Sequence, residues 1–414
     1  MREINLLKYN RHWEKGFKYP YPKKRKIFSK LTDLLFTRQI IQIVGLRRVG
    51  KTTLFFQLIN HLIEKKIDPF LIWYFTFDEE KLPLDELFWN FSKQTQKDFK
   101  KEKIFVFLDE IQKLPNFQNQ LKIYYDLYPN LKFFISGSTS LFIKKRSQES
   151  LAGRVKEFFL PPLDFEEYLY FKDKKEILKK KKLFESEIEK EFEIFLESQF
   201  IESIEMKREE KREYYLSIIK KIIFEDLSQI FPVDYPEVLF SLVKIISQRP
   251  GMLLDYQTLS QKMNISHKTL SNYLFFLQES FLLKKIYNFS KSLLVSERKL
   301  KKFYLASPSF SWALSDFLKK EFLVENFLLS IKNFNFFWRD PYQHEIDFVA
   351  LQNGEIIPIE VKYKKEITRK DLKNLVLFLK KFKLKKGILY GKFLDSKKEK
   401  INQFEIFLKP IYFV

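Results

Sequence analysis

The chain has 414 residues, no cysteine and only four histidines, His12, His61, His267 and His344, which lie far apart. Disulfides, thiolate catalysis and zinc ribbons are thereby excluded, and a histidine-rich metal site or a Ser-His-Asp triad has little to draw on. The length accommodates two to four domains. A formal charge of +22 points toward an anionic partner, but 61 lysines against 14 arginines, beside 47 phenylalanines, equally match the codon bias of an A/T-rich genome.

No apolar run approaches the ~20 residues of a membrane span, and the mixed polar N-terminus has no apolar signal core. A cytoplasmic protein without a membrane partner is expected. Residues 1–37 read as a basic arm with the run Lys23-Lys24-Arg25-Lys26, then an amphipathic helix through Ile27, Leu31, Leu34 and Leu35. That helix should pack beside the next domain, and the basic run reads as a solvated face.

From 38 to 160, short apolar runs alternate with helical stretches, as in a parallel sheet covered on both faces. The runs are Ile40–Val44, Phe70–Phe77, Ile104–Leu108 and Phe133–Ser136. The first feeds into Gly45-Leu46-Arg47-Arg48-Val49-Gly50-Lys51-Thr52-Thr53, and helix-period apolar residues follow at Leu54, Phe55, Leu58, Ile59 and Leu62. Strand, glycine-bracketed loop ending in Lys-Thr, and helix together form the context of a phosphate-binding loop. Gly45 and Gly50 leave backbone N–H groups room to wrap a phosphate, and the helix start offers its positive dipole end. Lys51 is placed to reach the β/γ-phosphates and Thr52 to bind Mg²⁺.

The third run ends in Asp109-Glu110, two carboxylates at the C-terminal edge of a strand, where ligands collect in open α/β sheets. Asp109 is suited to the magnesium shell and Glu110 to polarising the attacking water. The fourth run continues as Ser136-Gly137-Ser138-Thr139-Ser140, whose hydroxyls either sense the γ-phosphate or form an ordinary turn. Arg154, in Leu151-Ala152-Gly153-Arg154, is a candidate for transition-state charge in its own subunit or a neighbour's, with a surface role as the alternative.

Residues 161–234 hold Lys/Glu-rich helices through Leu178, Phe184, Ile188 and Phe192, read as a helical lid that covers or follows the core. Residues 235–305 change character. One helix runs through Leu239, Leu242, Val243 and Ile246. Two short ones flank the turn Asn264-Ile265-Ser266, and an extended Phe281–Ile286 follows. This describes a winged helix-turn-helix whose exposed recognition residues are His267, Lys268, Ser271 and Asn272. Such modules bind DNA or other proteins.

At 306–414, Asn353-Gly354 between two apolar runs marks a hairpin. Glu360 and Lys362, two apart on a strand, project from one face, with Asp347 on the neighbouring strand. Two carboxylates and a lysine are suited to a divalent metal and its bound water, as in nucleases of the restriction-endonuclease fold. Glu325, on an upstream helix, is placed to complete the shell. The alternative is a surface hairpin with cross-strand ion pairs.

Taken together, the chain resembles a prokaryotic AAA-superfamily ATPase of the group that carries a C-terminal restriction-endonuclease-like domain of poorly defined function. The resemblance rests on Gly45–Thr53, Phe107–Lys113, Ser136–Ser140, Leu151–Arg154, Pro162–Glu167, Glu325-Asn326 and Trp338 through Lys362, in that order. It implies ATP as nucleotide, a winged helix between the two ends, and a Glu, Asp, Glu-x-Lys site falling on Glu325, Asp347, Glu360 and Lys362. The family often has proline where Leu46 stands, and an acidic residue and glycine missing near Tyr304–Pro308. A neighbouring archaeal ATPase family has the same general plan. The expected architecture is α/β multidomain: a P-loop NTPase parallel sheet, helical lid, winged helix and C-terminal restriction-endonuclease-like α/β domain. The expected function is an ATPase whose nucleotide state, with Mg²⁺ and a second divalent metal at the C-terminal site, controls DNA binding or cleavage. A nucleotide-switched scaffold whose C-terminal domain cuts nothing is the alternative, and a homo-oligomer or protein partner stays open.

Overall fold

All five residues of Ile40–Val44 (β1) are buried, so both faces of this strand are covered. In the computed structural model, which describes residues 2–138 and 151–414, the chain divides into two compact units, Met1–Pro161 and Pro162–Val414. Thr139 and Ser140, two of the candidate sensor hydroxyls, lie outside the described residues.

In the first unit β1 joins Ile72–Thr76 (β2), Ile104–Asp109 (β3), Leu131–Gly137 (β4) and Val155–Phe159 (β5) in the order β2-β3-β4-β1-β5. Every pairing is parallel. This is the parallel sheet of a P-loop NTPase. Four strands follow apolar runs of the sequence. The fifth does not, because β5 is an edge strand with Lys156 and Glu157 exposed, and edge pairing needs backbone more than apolar side chains. Helices Lys51–Glu64, Leu84–Thr95 and Phe117–Leu127 follow β1, β2 and β3 in turn. The first buries Leu54, Phe55, Leu58, Ile59 and Leu62, the face that the 3.6-residue period marks out. Phe55 packs edge-on against Phe107, which stacks on Phe134 at 4.5 Å, so the helix is tied to β3 and β4.

The N-terminal arm closes the free edge of β2. The Asn10 amide donates to Tyr74 O and accepts from Tyr74 N, and the Trp13 indole donates to Ile72 O at 3.1 Å. Arg25 departs from the expected solvated face. It is only 5% exposed and donates to Val49 O and Pro161 O, each at 3.0 Å. Two loop carbonyls that need donors draw the guanidinium inward.

The second unit is built on one nine-stranded sheet, ordered β13-β14-β12-β11-β10-β9-β7-β8-β6. Its first part runs helix Pro236–Gln248, strand Met252–Leu254 (β6), helices Tyr256–Lys262 and His267–Glu279, then strands Leu283–Asn288 (β7) and Lys301–Leu305 (β8). Ser266 caps the His267–Glu279 helix by accepting from Thr269 N, and Asn264 in the turn has a positive φ of 53°. The second part runs helix Lys320–Lys332, antiparallel strands Phe336–Arg339 (β9), Glu345–Gln352 (β10) and Glu355–Lys362 (β11), helix Lys373–Phe382, and Lys386–Gly391 (β12) parallel to β11. Lys397–Ile401 (β13) and Phe404–Pro410 (β14) complete the far edge. Asn353 and Gly354 both have positive φ, 50° and 79°, as the two-residue hairpin turn requires.

No sheet boundary falls at 305/306, because β7 pairs in parallel with β9 at Tyr287↔Phe336 and Asn288↔Phe337. Helices Phe165–Phe171 and Glu185–Leu196, expected as a lid, are built into this second unit. Phe192 meets Phe327 at 5.4 Å and Tyr412 at 5.0 Å. No helix among the described residues is long and apolar enough to cross a membrane.

Candidate functional site

The loop Gly45–Thr53 joins β1 to its helix under tight backbone constraints. A β-carbon on Gly45 would lie 2.4 Å from Leu160 O, so only glycine fits there. Gly50 has φ 97° and N-caps the helix, a left-handed conformation that glycine adopts without strain. Leu46 and Val49 are buried, Arg47 lies 3.8 Å from Asp78, and Arg48 has a left-handed φ of 66°. Thr52 and Thr53 are half-buried at the helix start.

Four side chains converge beside this loop. Lys51 Nζ donates to Gly45 O and Leu46 O, each at 3.0 Å, and lies 3.6 Å from Glu110 Oε1. Thr52 Oγ1 donates to Asp109 Oδ2 at 2.5 Å. β4 lies between β1 and β3, and from it Ser136 donates to Asp109 Oδ1 and accepts from Glu110 N at 3.1 Å. From β2, the Tyr74 hydroxyl donates to Asp109 Oδ2 at 3.2 Å. Glu110 Oε2 accepts from Gln112 Nε2 at 2.5 Å and from Ser138 Oγ at 3.0 Å.

Burial and the neighbouring Glu110 push Asp109 above the usual carboxylate range, against the pull of Ser136, Thr52 and Lys51. Burial alone would raise Glu110 too, but Lys51, Gln112, Arg47 and Ser138 outweigh it and hold Glu110 ionised and below its ordinary value. Glu110 has φ 51°, the left-handed region that non-glycine residues enter at a cost and that clusters at functional sites. Sequence reasoning placed Lys51, Thr52, Asp109 and Glu110 here and missed Tyr74, Gln112 and Arg25. Of these, only Gln112 left a local signal, two residues after Glu110.

Arg154 is placed elsewhere. It directly precedes β5, and its carbonyl accepts from Ile40 N at the start of β1, while the phosphate loop follows the other end of that strand. Its guanidinium forms a two-pronged pair with Asp126 at 2.8 and 3.0 Å. Five parallel residues at about 3.3 Å each separate it from the loop, so the structure does not bring it to its own subunit's phosphate loop.

In the second unit, Lys362 Nζ donates to Glu360 Oε1 at 2.5 Å, as two residues on one strand face should. The register Phe348↔Ile359 carries Asp347 beside Glu360, and Asp347 Oδ2 accepts from Val361 N at 2.8 Å. Glu360 is 3% exposed and its Oε2 has no hydrogen-bond partner among the described residues. Burial, then Asp347, push its carboxyl up to about 8 against the pull of Lys362. Glu325 does not complete a shell. The Tyr304 hydroxyl and Lys302, at 3.3 Å, hold its Oε1, and burial raises it to about 7. Lys302 also pairs with Glu345 at 2.6 Å, and Arg339 with Glu345 at 2.9 Å. Among the described residues, no three His, Cys, Asp or Glu side chains are grouped to hold a metal ion. The expected set of Glu325, Asp347 and Glu360 is therefore not grouped as a three-carboxylate shell, because Lys302 claims Glu325, Lys362 claims Glu360 and the Val361 N–H claims Asp347. On the His267–Glu279 helix, His267, Lys268, Ser271 and Asn272 are all exposed.

Residues 37–169 match a family model described as an AAA domain. Residues 199–321 match a domain of unknown function (DUF8612), and residues 318–406 another (DUF4143). An uncharacterized protein of Methanocaldococcus jannaschii is 27% identical over 392 residues, covering 87% of this chain and 84% of its own length. One from Haemophilus influenzae is 24% identical over 396 residues, covering 90% and 94%. The solved structure of C. elegans PCH-2 aligns at a TM-score of 0.25 and 14% identity, over 55% of this chain and 65% of that one, too distantly to carry an argument. Residues 37–169, which hold the phosphate loop and the Asp109-Glu110 pair, are an AAA-type P-loop ATPase domain.

Proposed function

We propose that this chain hydrolyses ATP at the Lys51–Glu110 site and uses the nucleotide state to control its association with DNA. The observation that carries the first half is the convergence of Lys51, Thr52, Asp109 and Glu110 within contact distance, from a loop and a strand that are not neighbours in the sheet. The residues present fit a magnesium nucleotide. Gly45 stands where a side chain would collide with Leu160 O, and Thr52 and Asp109 form a paired hydroxyl and carboxylate. Mg²⁺ held there would neutralise charge on the transferring phosphoryl group. For its part, Lys51 exchanges the Gly45 and Leu46 carbonyls for phosphate oxygens. Glu110 orients the attacking water through Oε1, the oxygen not held by Gln112 and Ser138. Arg154 stays a candidate only for a neighbouring copy's site.

DNA association is supported by the order helix, strand, helix, turn, helix and two antiparallel strands joined through the short helix Leu293–Arg298, between Pro236 and Leu305, read as a winged helix-turn-helix with His267, Lys268, Ser271 and Asn272 exposed. The order helix, three antiparallel strands, helix and a strand parallel to the third, from Lys320 to Gly391, supports a restriction-endonuclease-like core. A catalytic metal at Asp347 and Glu360 fits less well, because Lys362 already holds one oxygen of Glu360, the Val361 N–H holds Asp347 and Lys302 holds Glu325, and no step is drawn through one. The same pairing favours a second reading, in which the C-terminal part is an interaction module that cuts nothing.

ATP hydrolysis measured with and without single- and double-stranded DNA, at several salt concentrations, tests the proposal. DNA stimulation that falls steeply with salt supports it; hydrolysis that ignores DNA at every salt concentration refutes the DNA half. Plasmid nicking in Mn²⁺, with Glu360→Ala and Lys362→Ala as controls, separates a cutting domain from a binding one.

A further inference from the structure

Glu110 is held by a closed circuit of hydrogen bonds that its role as a water-orienting group does not by itself require. Gln112 Nε2 donates to Glu110 Oε2 at 2.5 Å and to Ser138 Oγ at 3.1 Å, and Ser138 Oγ donates to the same Glu110 oxygen at 3.0 Å. Both amide hydrogens of Gln112 and the hydroxyl hydrogen of Ser138 are therefore used, each on an acceptor that can take it. All three side chains are buried. Ordinary helix geometry would not let residues two apart meet. Here the left-handed backbone at Glu110, followed by the tight turn Ile111–Lys113, folds Gln112 back over it.

The circuit is one-sided. Oε2 receives two donors, while Oε1 lies 3.6 Å from the Lys51 ammonium. The Gln112 Oε1 atom is buried with no hydrogen-bond partner among the described residues. Flipping the amide would turn that carbonyl onto the carboxylate, so the amide is fixed in the one orientation that donates.

We infer that Gln112 and Ser138 are positioning residues that lock Glu110 by one carboxylate oxygen and leave the other aimed at the Lys51 side, where the attacking water must be oriented. This inference rests on the reading of Glu110 given above. A glutamate side chain has three rotatable bonds. Without the lock its carboxylate samples several rotamers, and the reaction loses the fraction of time spent elsewhere. Ser138 directly follows β4, so the circuit ties Glu110 to the end of that strand.

The test is steady-state ATP hydrolysis by the full chain carrying Gln112→Met, Ser138→Ala or both, each also in a Glu110→Gln background. The expected result is a loss of about 10- to 100-fold in kcat for each single variant, with KM for ATP changed less than about twofold. In the Glu110→Gln background the same changes should remove little more, because the group they position is already altered. Ser138→Thr, which keeps the hydroxyl, should retain activity. An unchanged kcat overturns the inference, and so does a raised KM with intact kcat, or a loss that multiplies in full on Glu110→Gln. A crystal structure of the nucleotide-free protein with Glu110 out of reach of both partners overturns it as well. If instead the unaltered protein hydrolyses no ATP, the reading of the site fails and the inference falls with it. A wild type that hydrolyses, a dead Glu110→Gln and a normal Gln112→Met leave that reading standing and remove the inference alone.

Discussion

The pairs Asp109–Glu110 and Asp347–Glu360 each set two carboxylates side by side on or just after strands, yet they are held by different kinds of donor. Neutral groups do most of the work at the first: Thr52, Ser136 and Tyr74 on Asp109, and Gln112 and Ser138 on Glu110, with Lys51 as the near cation. At the second, Asp347 takes the Val361 backbone N–H, but cations hold the carboxylates around it: Lys362 on Glu360, Lys302 on Glu325 and Glu345, and Arg339 on Glu345. A hydroxyl fixes a carboxylate without cancelling its charge, so the pair still attracts a cation. An ammonium group cancels it, and a metal must displace the lysine first. Clustered carboxylates therefore announce a ligand only where their charge is left uncompensated.

The largest effect that sharpens this contrast is at the first site. Lys51→Ala should abolish ATP hydrolysis, and Glu110→Gln should reduce it by about 10²- to 10⁴-fold while ATP binding, measured by calorimetry, persists. Substantial hydrolysis in both variants would erase the distinction between the two sites. Next comes Lys302→Met, which leaves Glu325 without its cation and Glu345 with Arg339 alone. A loss of about 3–5 kcal/mol in urea unfolding is expected, and a change under 1 kcal/mol, as at an exposed pair, would show that the second site is not ion-paired in solution.

Glu360→Gln gives a smaller, pH-dependent effect. Its carboxyl is raised from 4.5 to about 8, so the folded protein binds a proton that the unfolded chain releases between those values. Stability contributed by this group is full below 4.5 and drains as the pH rises toward 8. The Gln variant cannot ionise, so its melting temperature relative to wild type should climb with pH across that window. A gap that stays flat or narrows would contradict the assignment. The smallest effect is expected for Tyr74→Phe, which removes one of three hydroxyl donors from Asp109. Its loss should amount to about 0.5–1.5 kcal/mol, read as a drop of less than about tenfold in kcat/KM. A larger drop would make Tyr74 as important as Thr52.

Local order made the first site legible. The apolar run, the glycine spacing and the helix period fixed β1, the loop and the buried face of Lys51–Glu64, and Asp109-Glu110 ended the right strand. The period-two rule likewise brought Glu360 and Lys362 to one face, and Asn353-Gly354 marked the hairpin. What stayed hidden depends on partners distant in the chain. Arg25 reads as a solvated cation until Val49 and Pro161, 24 and 136 residues away, present their carbonyls. Glu325 reads as a ligand until Lys302 and Tyr304 take it. β5 lacks an apolar run because an edge strand is specified by its neighbour's backbone.

The parallel pairing of β7 with β9 has a consequence for how this protein can be divided. Phe289, just past β7, is surrounded by Phe336, Phe378 and Phe382 from the far side of that junction, and Asn288 exchanges two hydrogen bonds with Arg339. A fragment ending after β8 would carry a bare strand edge and an uncovered aromatic cluster, both prone to self-association. The helices Tyr256–Lys262 and His267–Glu279 and the strands that hold Glu360 thus belong to one sheet-bound body, expected to unfold together.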